Sequence, residues 1–311
     1  MAQVVISEFM DAASVAALKA AFDSHYDPDL VERPDALRAA AAEAEALVVR
    51  NRTQVRESLL AACPGLKVIG RLGVGLDNID LEACKARGIE VCPARGANEA
   101  AVAEYVIATL LILIRGAYFS TAAVAAGDWP RQALIGGEVA GKRLGLVGFG
   151  AIARQVARRA AALSMEIVAH DPFLPPDDPA WGQAESLPLA ELLATADAVS
   201  LHIPYAPETH HLISAERLAA MKPGAVLVNT ARGGVVDSRA LAAALRNGRL
   251  AGAALDVHEE EPLSAEAGAV FAGLPNLLLT PHIAGLTREA DLRVGAVTVQ
   301  NLMRVLKPAG A

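Results

Sequence analysis

Arg143 to Asp171 reads RLGLVGFGAIARQVARRAAALSMEIVAHD, and its pattern decides the fold. A short apolar run, Leu144 to Val147, enters Gly148-Phe149-Gly150-Ala151-Ile152-Ala153. A helical pattern follows, and a second strand-like run from Glu166 to Ala169 leads to Asp171. Strand, glycine turn, helix and strand form the frame of a dinucleotide-binding βαβ unit. Gly148 permits the tight turn and Gly150 the close approach of backbone to a pyrophosphate, which the N-terminus of the helix stabilises through its free N–H groups and dipole. Ala153 stands where a third glycine is usual, a position that needs only a small residue for helix-on-strand packing. Asp171, 23 positions after Gly148, is spaced for a carboxylate to accept both ribose hydroxyls. It would repel a 2′-phosphate, and no arginine follows in Pro172-Phe173-Leu174, so NAD is favoured over NADP.

The rest of the chain has room for a second domain. It has 311 residues, 53% hydrophobic and 20% charged, the balance of a globular protein with a full core in each domain. A net charge of −7 with no basic stretch argues against nucleic-acid or anionic-membrane partners. Cys63, Cys84 and Cys92 lack C-x-x-C spacing, so neither a disulfide framework nor a metal site is expected. The start, Met1-Ala2-Gln3-Val4-Val5-Ile6, lacks the form of a signal peptide, and the longest apolar run, Val106 to Ile114, is too short to span a bilayer. A cytoplasmic protein is expected.

Short β-like runs (Val4 to Ser7, Ala46 to Arg50, Lys67 to Gly70, Ile89 to Cys92) alternate with helical ones before the glycine turn, and the alternation resumes after Asp171. Such alternation predicts α/β architecture with parallel sheets wrapped by helices. Six strands are expected around the turn, including Ala198 to Ile203, Ala225 to Asn229, Ala253 to Val257 and Leu277 to Thr280. The last helix, about Arg288 to Leu306, has no later strand to serve and is expected to pack back on the N-terminal segment. The reading is two doubly wound domains: a Rossmann cofactor domain, 98–286, inserted into a smaller flavodoxin-like substrate domain, 1–97 with 287–311.

In such sheets ligands bind beyond the carboxyl ends of the strands, so polar residues just after each strand are candidates. Those positions hold Arg232, His258 with Glu259 to Glu261, His282, and, near its strand end, His202. Reversible hydride transfer to a carbonyl needs a cation to hold and polarise the oxo acid and an acid to protonate the new alkoxide. A carboxylate beside a histidine would orient it and favour its imidazolium form. Position alone leaves the three histidines equal. It also leaves the three glutamates readable as a solvated loop. The glycines after Arg232 suggest backbone room for a ligand.

These residues also carry a resemblance. NTARGGVVD (Asn229 to Asp237), AGAALDVHEEEP (Ala251 to Pro262), TPHIAGLT (Thr280 to Thr287) and RLGVGLDNIDLEA (Arg71 to Ala83) resemble signatures of the D-isomer-specific 2-hydroxyacid dehydrogenases, and SLHIPYAPETHHLI (Ser200 to Ile213) extends the likeness. The resemblance implies an NAD-dependent oxidoreductase in which Arg232 binds the substrate carboxylate and carbonyl and Glu261 and His282 form the acid–base pair. His258, which replaces a common aromatic, drops to a lining role. It further implies that Gly73, Val74 and Gly75 surround the substrate carboxylate with backbone N–H groups, and that Thr230 and Asp256 line the nicotinamide site. Pro204 and Thr209 would lie near the rest of the cofactor. Asn98 and Glu104 match the helix that joins the domains in the family, although Ala97 stands where glycine is common.

Arg50, Arg52 and Arg71 end two N-terminal strands and read either as solvated loop residues or as a recognition site for a second anionic group, since arginine forks suit sulfonate and phosphate. Arg50 and Arg71 resemble positions that meet phosphate in phosphoglycerate dehydrogenases. With Arg52-Thr53-Gln54 the stretch looks most like sulfolactate dehydrogenases, so 3-sulfolactate is the first expected substrate and 3-phosphoglycerate the second. A glyoxylate or hydroxypyruvate reductase and a non-catalytic NAD-sensing module are the alternatives. The family also implies a homodimer, with Gly116 to Arg131 as a contact segment.

Overall fold

The computed structural model describes residues 2–306; Met1 and residues 307–311, which the two expected substrate-domain segments include, lie outside the described residues. The chain divides into two compact units, one running to Asn98 and resuming at Leu286, the other spanning Glu99–Gly285.

The smaller unit holds strands β1 (Val4–Ile6), β2 (Ser24–Tyr26), β3 (Ala46–Val49), β4 (Val68–Arg71) and β5 (Glu90–Pro93), all parallel, in the order β2-β1-β3-β4-β5. That is the flavodoxin-like order. Side chains alternate between two cores, as the strand period requires. Val4, Ile6, Val48 and Val68 pack with Val294, Val299 and Leu302 of the last helix, whereas Val5, Leu47, Val49 and Ile69 face Leu30, Leu37 and Leu60. The last helix, Arg288–Val305, starts at Thr287, whose hydroxyl accepts the Ala290 N–H, and it packs on β4, β5 and the helix Ala12–Ala21 as expected. Gly70 lets it approach, since a Cβ there would lie 2.6 Å from Leu302. Four strands were expected in this unit, and five form. The fifth is β2, whose Ser24-His25-Tyr26 has no apolar run and joins only the sheet edge.

The larger unit holds β6 (Arg143–Val147), β7 (Glu166–His170), β8 (Glu185–Ser186), β9 (Ala198–Leu201), β10 (Val226–Asn229), β11 (Gly252–Leu255) and β12 (Leu277–Leu279). Their order, β12-β11-β10-β9-β6-β7-β8, is parallel throughout and is the Rossmann order with one strand added. The expected count of six was one short because β8 is only two exposed residues. Leu144 and Leu146 bury one face under the helices Glu99–Arg115 and Ala151–Ala162, while Val147, Val199 and Leu227 bury the other under Leu192, Leu218 and Leu241. Each fully buried leucine stabilises the unit by about 2 kcal/mol. No single helix among the described residues is long and apolar enough to cross a membrane.

Candidate active site

The strand order of the larger unit reverses between β6 and β9, and the glycine turn lies at that point. Gly148 has φ +86°, and a Cβ there would lie 2.6 Å from the His202 carbonyl oxygen, so both conformation and space demand glycine. Gly150 caps the helix Ala151–Ala162, and a Cβ there would meet nothing within 4 Å. Open space over free helix N–H groups is a cradle for an anion. Ala151 is exposed beside it and Ile152 packs partly against the core. Phe149 turns inward: its ring is fully buried and stacks on Trp181 at 5.4 Å, so only its backbone remains at the turn.

Asp171 ties that turn to the end of β7. One carboxylate oxygen accepts the Phe149 N–H at 2.9 Å and the other the Phe173 N–H at 3.0 Å. Each oxygen keeps a second lone pair for a ribose hydroxyl. The Thr209 hydroxyl donates to Pro204 O at 2.9 Å and accepts the Ala206 N–H at 2.8 Å, which shapes the loop after β9. Thr230 Oγ1 is buried and has no hydrogen-bond partner among the described residues. A buried hydroxyl left unpaired costs free energy, so this atom suits a ligand amide. Cradle, carboxylate and orphan hydroxyl together fit a nicotinamide dinucleotide.

The three histidines that position left equal are separated by their surroundings. The His202 imidazole hydrogen-bonds Ser200 Oγ at 3.0 Å, and burial pushes its pKa down to about 4, so it is neutral at working pH and cannot be the proton donor. A base whose pKa falls on folding takes up its proton more readily in the unfolded chain, so its contribution is complete above about pH 6.5 and is lost as pH falls through about 4. The expected loss across that window is about 3 kcal/mol. Urea unfolding near each end should show it, and His202→Asn should remove it; equal losses in both proteins would refute the assignment. His258 is a strut, with Nε2 3.0 Å from Thr280 O and its backbone N–H donating to Glu261 Oε1 at 3.0 Å.

His282 remains. Its Nδ1 lies 2.7 Å from Glu261 Oε2, which leaves Nε2 for a reacting group. Burial by itself would raise the Glu261 pKa, but the hydrogen bond and charge of His282, with the His258 N–H, outweigh it and hold the carboxyl below its usual range. His282 is in the left-handed region at φ +56°, which costs a side-chain-bearing residue on the order of 1 kcal/mol. Asp256, only 1% exposed, holds that turn: its carbonyl accepts the His282 N–H at 2.7 Å, and its carboxylate accepts Ile283 N–H and Ala284 N–H, each at 2.8 Å, and Thr280 Oγ1 at 2.6 Å. The Tyr105 phenol, kept protonated as burial pushes its pKa up, donates to Thr280 at 2.6 Å and ends the chain. Asp256, expected as a lining group, thus supports the His282 loop, and sequence reading missed Tyr105 altogether.

The glutamates separate in the same way. Glu259 accepts the Ser238 N–H at 3.1 Å and lies 3.0 Å from His211 Nε2, joining two loops, whereas Glu261 alone meets His282. Arg232 follows β10 on a loop shaped by Asn229, whose fully buried amide accepts the Ala231 N–H at 3.0 Å and donates to Arg232 O at 2.9 Å. The glycines after Arg232 do not leave room for a ligand, which corrects the sequence reading. A Cβ on Gly233 would collide with the His258 backbone, and one on Gly234 would lie 2.6 Å from the Tyr205 ring, so protein fills that space.

In the smaller unit, β3 and β4 pair Val49 with Arg71, so the loops after both strands start side by side. Arg71 is 9% exposed and donates to Leu72 O at 2.7 Å, with its guanidinium lying where a Cβ on Gly73 would stand. Gly73, at φ +141°, admits that packing, and the half-buried Val74 and Gly75 follow. Arg50 lies over the Phe9 ring at 5.7 Å and ion-pairs Asp291, while Arg52 is more exposed and pairs Glu32. Arg50 is thus packed and paired, whereas Arg52 stands more exposed on the same loop.

A family model described as the NAD-binding domain of D-isomer specific 2-hydroxyacid dehydrogenases matches residues 107–284. The (S)-sulfolactate dehydrogenase of Chromohalobacter salexigens is 55% identical over 307 residues, covering 98% of this chain and 99% of that one. A hydroxypyruvate reductase of Thermotoga maritima is 40% identical over 85% of each chain. The crystal structure of D-lactate dehydrogenase from Aquifex aeolicus with NAD and lactic acid superposes with a TM-score of 0.84 at 30% identity, covering 96% of this chain and 93% of that one.

Proposed function

Because the chain belongs to the D-isomer specific 2-hydroxyacid dehydrogenases, NAD-dependent oxidoreductases that interconvert a 2-hydroxy acid and its 2-oxo acid, we propose that its own substrate pair is D-3-sulfolactate and sulfopyruvate. The D and (S) descriptors coincide for this acid, since the sulfur-bearing carbon outranks the carboxylate, so the name of the Chromohalobacter salexigens enzyme is consistent with a D-specific site. The observation that carries the second anionic group is the pair of arginines on one ordered loop, Arg50-Asn51-Arg52, beside the partly folded-over Arg71.

The smaller unit is the substrate domain and the larger one the dinucleotide domain. Gly148, Gly150, Ala151 and Ile152 hold the pyrophosphate, Asp171 the ribose, and Thr230 the nicotinamide amide, with Pro204 and Thr209 shaping the adjoining loop. NADH, when bound, supplies the hydride. Arg232 holds the substrate carboxylate and polarises the carbonyl oxygen, and the Nε2 proton of His282 passes to that oxygen as the alkoxide forms; in the oxidative direction the same nitrogen takes the hydroxyl proton. Glu261 keeps the imidazole oriented and balances its charge. Backbone N–H groups of Gly73, Val74 and Gly75 and the side chains of Arg50, Arg52 and Arg71 meet the anionic groups.

The enzyme works in the cytoplasm as a homodimer through the dinucleotide domain, a reading supported by exposed apolar side chains along one segment: Tyr118 at 66%, Phe119 at 46% and Trp129 at 74%. NADH oxidation by the purified protein against sulfopyruvate, 3-phosphohydroxypyruvate, hydroxypyruvate, glyoxylate and pyruvate tests the substrate. Sulfopyruvate should exceed the monoanions in kcat/KM by about a hundredfold, the worth of a charge-assisted hydrogen-bond pair. A preference for glyoxylate or hydroxypyruvate would overturn it.

A further inference from the structure

We propose that Glu8 is a positioning residue for the loop that recognises the second anionic group, fixing where Arg50 and Arg52 stand and thereby setting substrate preference. The inference rests on the sulfonate reading above. Glu8 follows β1 and is 4% exposed. Its Oε1 accepts the N–H groups of Arg50 at 2.8 Å and Thr53 at 2.9 Å, and its Oε2 accepts that of Arg52 at 3.2 Å. Converging backbone N–H groups of this kind form an anion nest, here filled by the protein's own carboxylate. The carbonyls of the same loop are held from another side. Asn78, 5% exposed, donates its amide to Arg50 O at 3.2 Å and Thr53 O at 2.8 Å. Ser7 Oγ and Thr53 Oγ1, 3.0 Å apart, close the end of the loop.

A buried charge is costly unless its lone pairs are satisfied, and here three donors satisfy it. What the arrangement gains is a loop of four residues whose backbone has almost no freedom, carrying two cations beyond it. No neutral side chain does the same work: a glutamine would turn an NH₂ donor toward one of the loop N–H groups. Glu8 lies outside the acid–base machinery of the larger unit, so its removal should act on recognition of the extra anion and leave proton transfer alone.

Glu8→Gln and Glu8→Asp, made in the full chain, should be assayed with sulfopyruvate and with glyoxylate, alongside NADH affinity and Tm. For Glu8→Gln, KM for sulfopyruvate should rise at least about tenfold, because an ångström-scale displacement of a binding group costs that much or more, with kcat/KM for glyoxylate within about twofold. NADH affinity should be unchanged. Equal loss on both substrates would mean a merely structural role, and no change on either would mean none; both results overturn the proposal. If Glu8→Gln does not fold, Glu8→Asp, which keeps the charge and shortens its reach, decides by the same split. Wild-type enzyme without a preference for sulfopyruvate would instead sink the substrate reading, and this inference with it.

Discussion

His282→Asn should lower turnover by roughly 10²- to 10⁴-fold in both directions, the usual worth of a positioned acid–base group, while NADH binding stays within about twofold. Asparagine is the informative replacement for three reasons. It is among the few side chains that tolerate the left-handed region, so the +56° φ of residue 282 is kept. The supports of the loop, Asp256 with its bonds to the backbone of 282, 283 and 284, do not involve the imidazole. An amide can still donate to Glu261, which its environment keeps ionised, so no buried charge is stranded. The variant thus removes the titratable nitrogen and little else. Stopped-flow NADH oxidation and fluorescence titration would measure the two quantities, and full activity would sink the acid–base assignment whatever the binding result.

The glycine turn was legible because its sequence and its physics are local: Gly148 must be glycine for space and φ, and the chain on either side alternates in period two and then 3.6. Elements that depend on partners were less so. β2 and β8 are short and polar and exist only because a neighbouring edge offers them hydrogen bonds. The same division runs through the site. Candidate polar residues could be read from strand ends, and the family likeness pointed to His282, but position alone left His202, His258 and His282 equal; what distinguishes them physically is the burial of the first, the backbone contact of the second and the Glu261 contact of the third. Supporting side chains were the hardest to see. Asp256 is one acid in an apolar strand end and looks like a ligand-facing group, yet four hydrogen bonds from its own chain reach it. Glu8 carries no motif at all, and Asn78, though inside the RLGVGLDNIDLEA stretch, gives no sign of its role, since their partners are backbone atoms some 25 to 45 positions away in the chain.

Arg232→Gln should lower kcat/KM for any 2-oxo acid by about 10²- to 10³-fold, the consequence of removing one partner from a hydrogen-bonded charge pair. The fold should survive, because the loop is shaped by Asn229 and by the packing of Gly233 on the His258 backbone. Unchanged Tm and NADH affinity would verify that. How the loss divides is the sharper readout. If the guanidinium only anchored the carboxylate, KM would rise and kcat would hold; if it also polarises the carbonyl, the interaction strengthens as the alkoxide forms and kcat must fall as well. Arg232→Lys discriminates further, since it restores a point charge without the planar fork that grips carboxylate and carbonyl oxygens together. We expect the lysine variant to recover much of KM and little of kcat. Recovery of both would reduce Arg232 to simple charge attraction, and wild-type kcat/KM in the glutamine variant would remove it from the site.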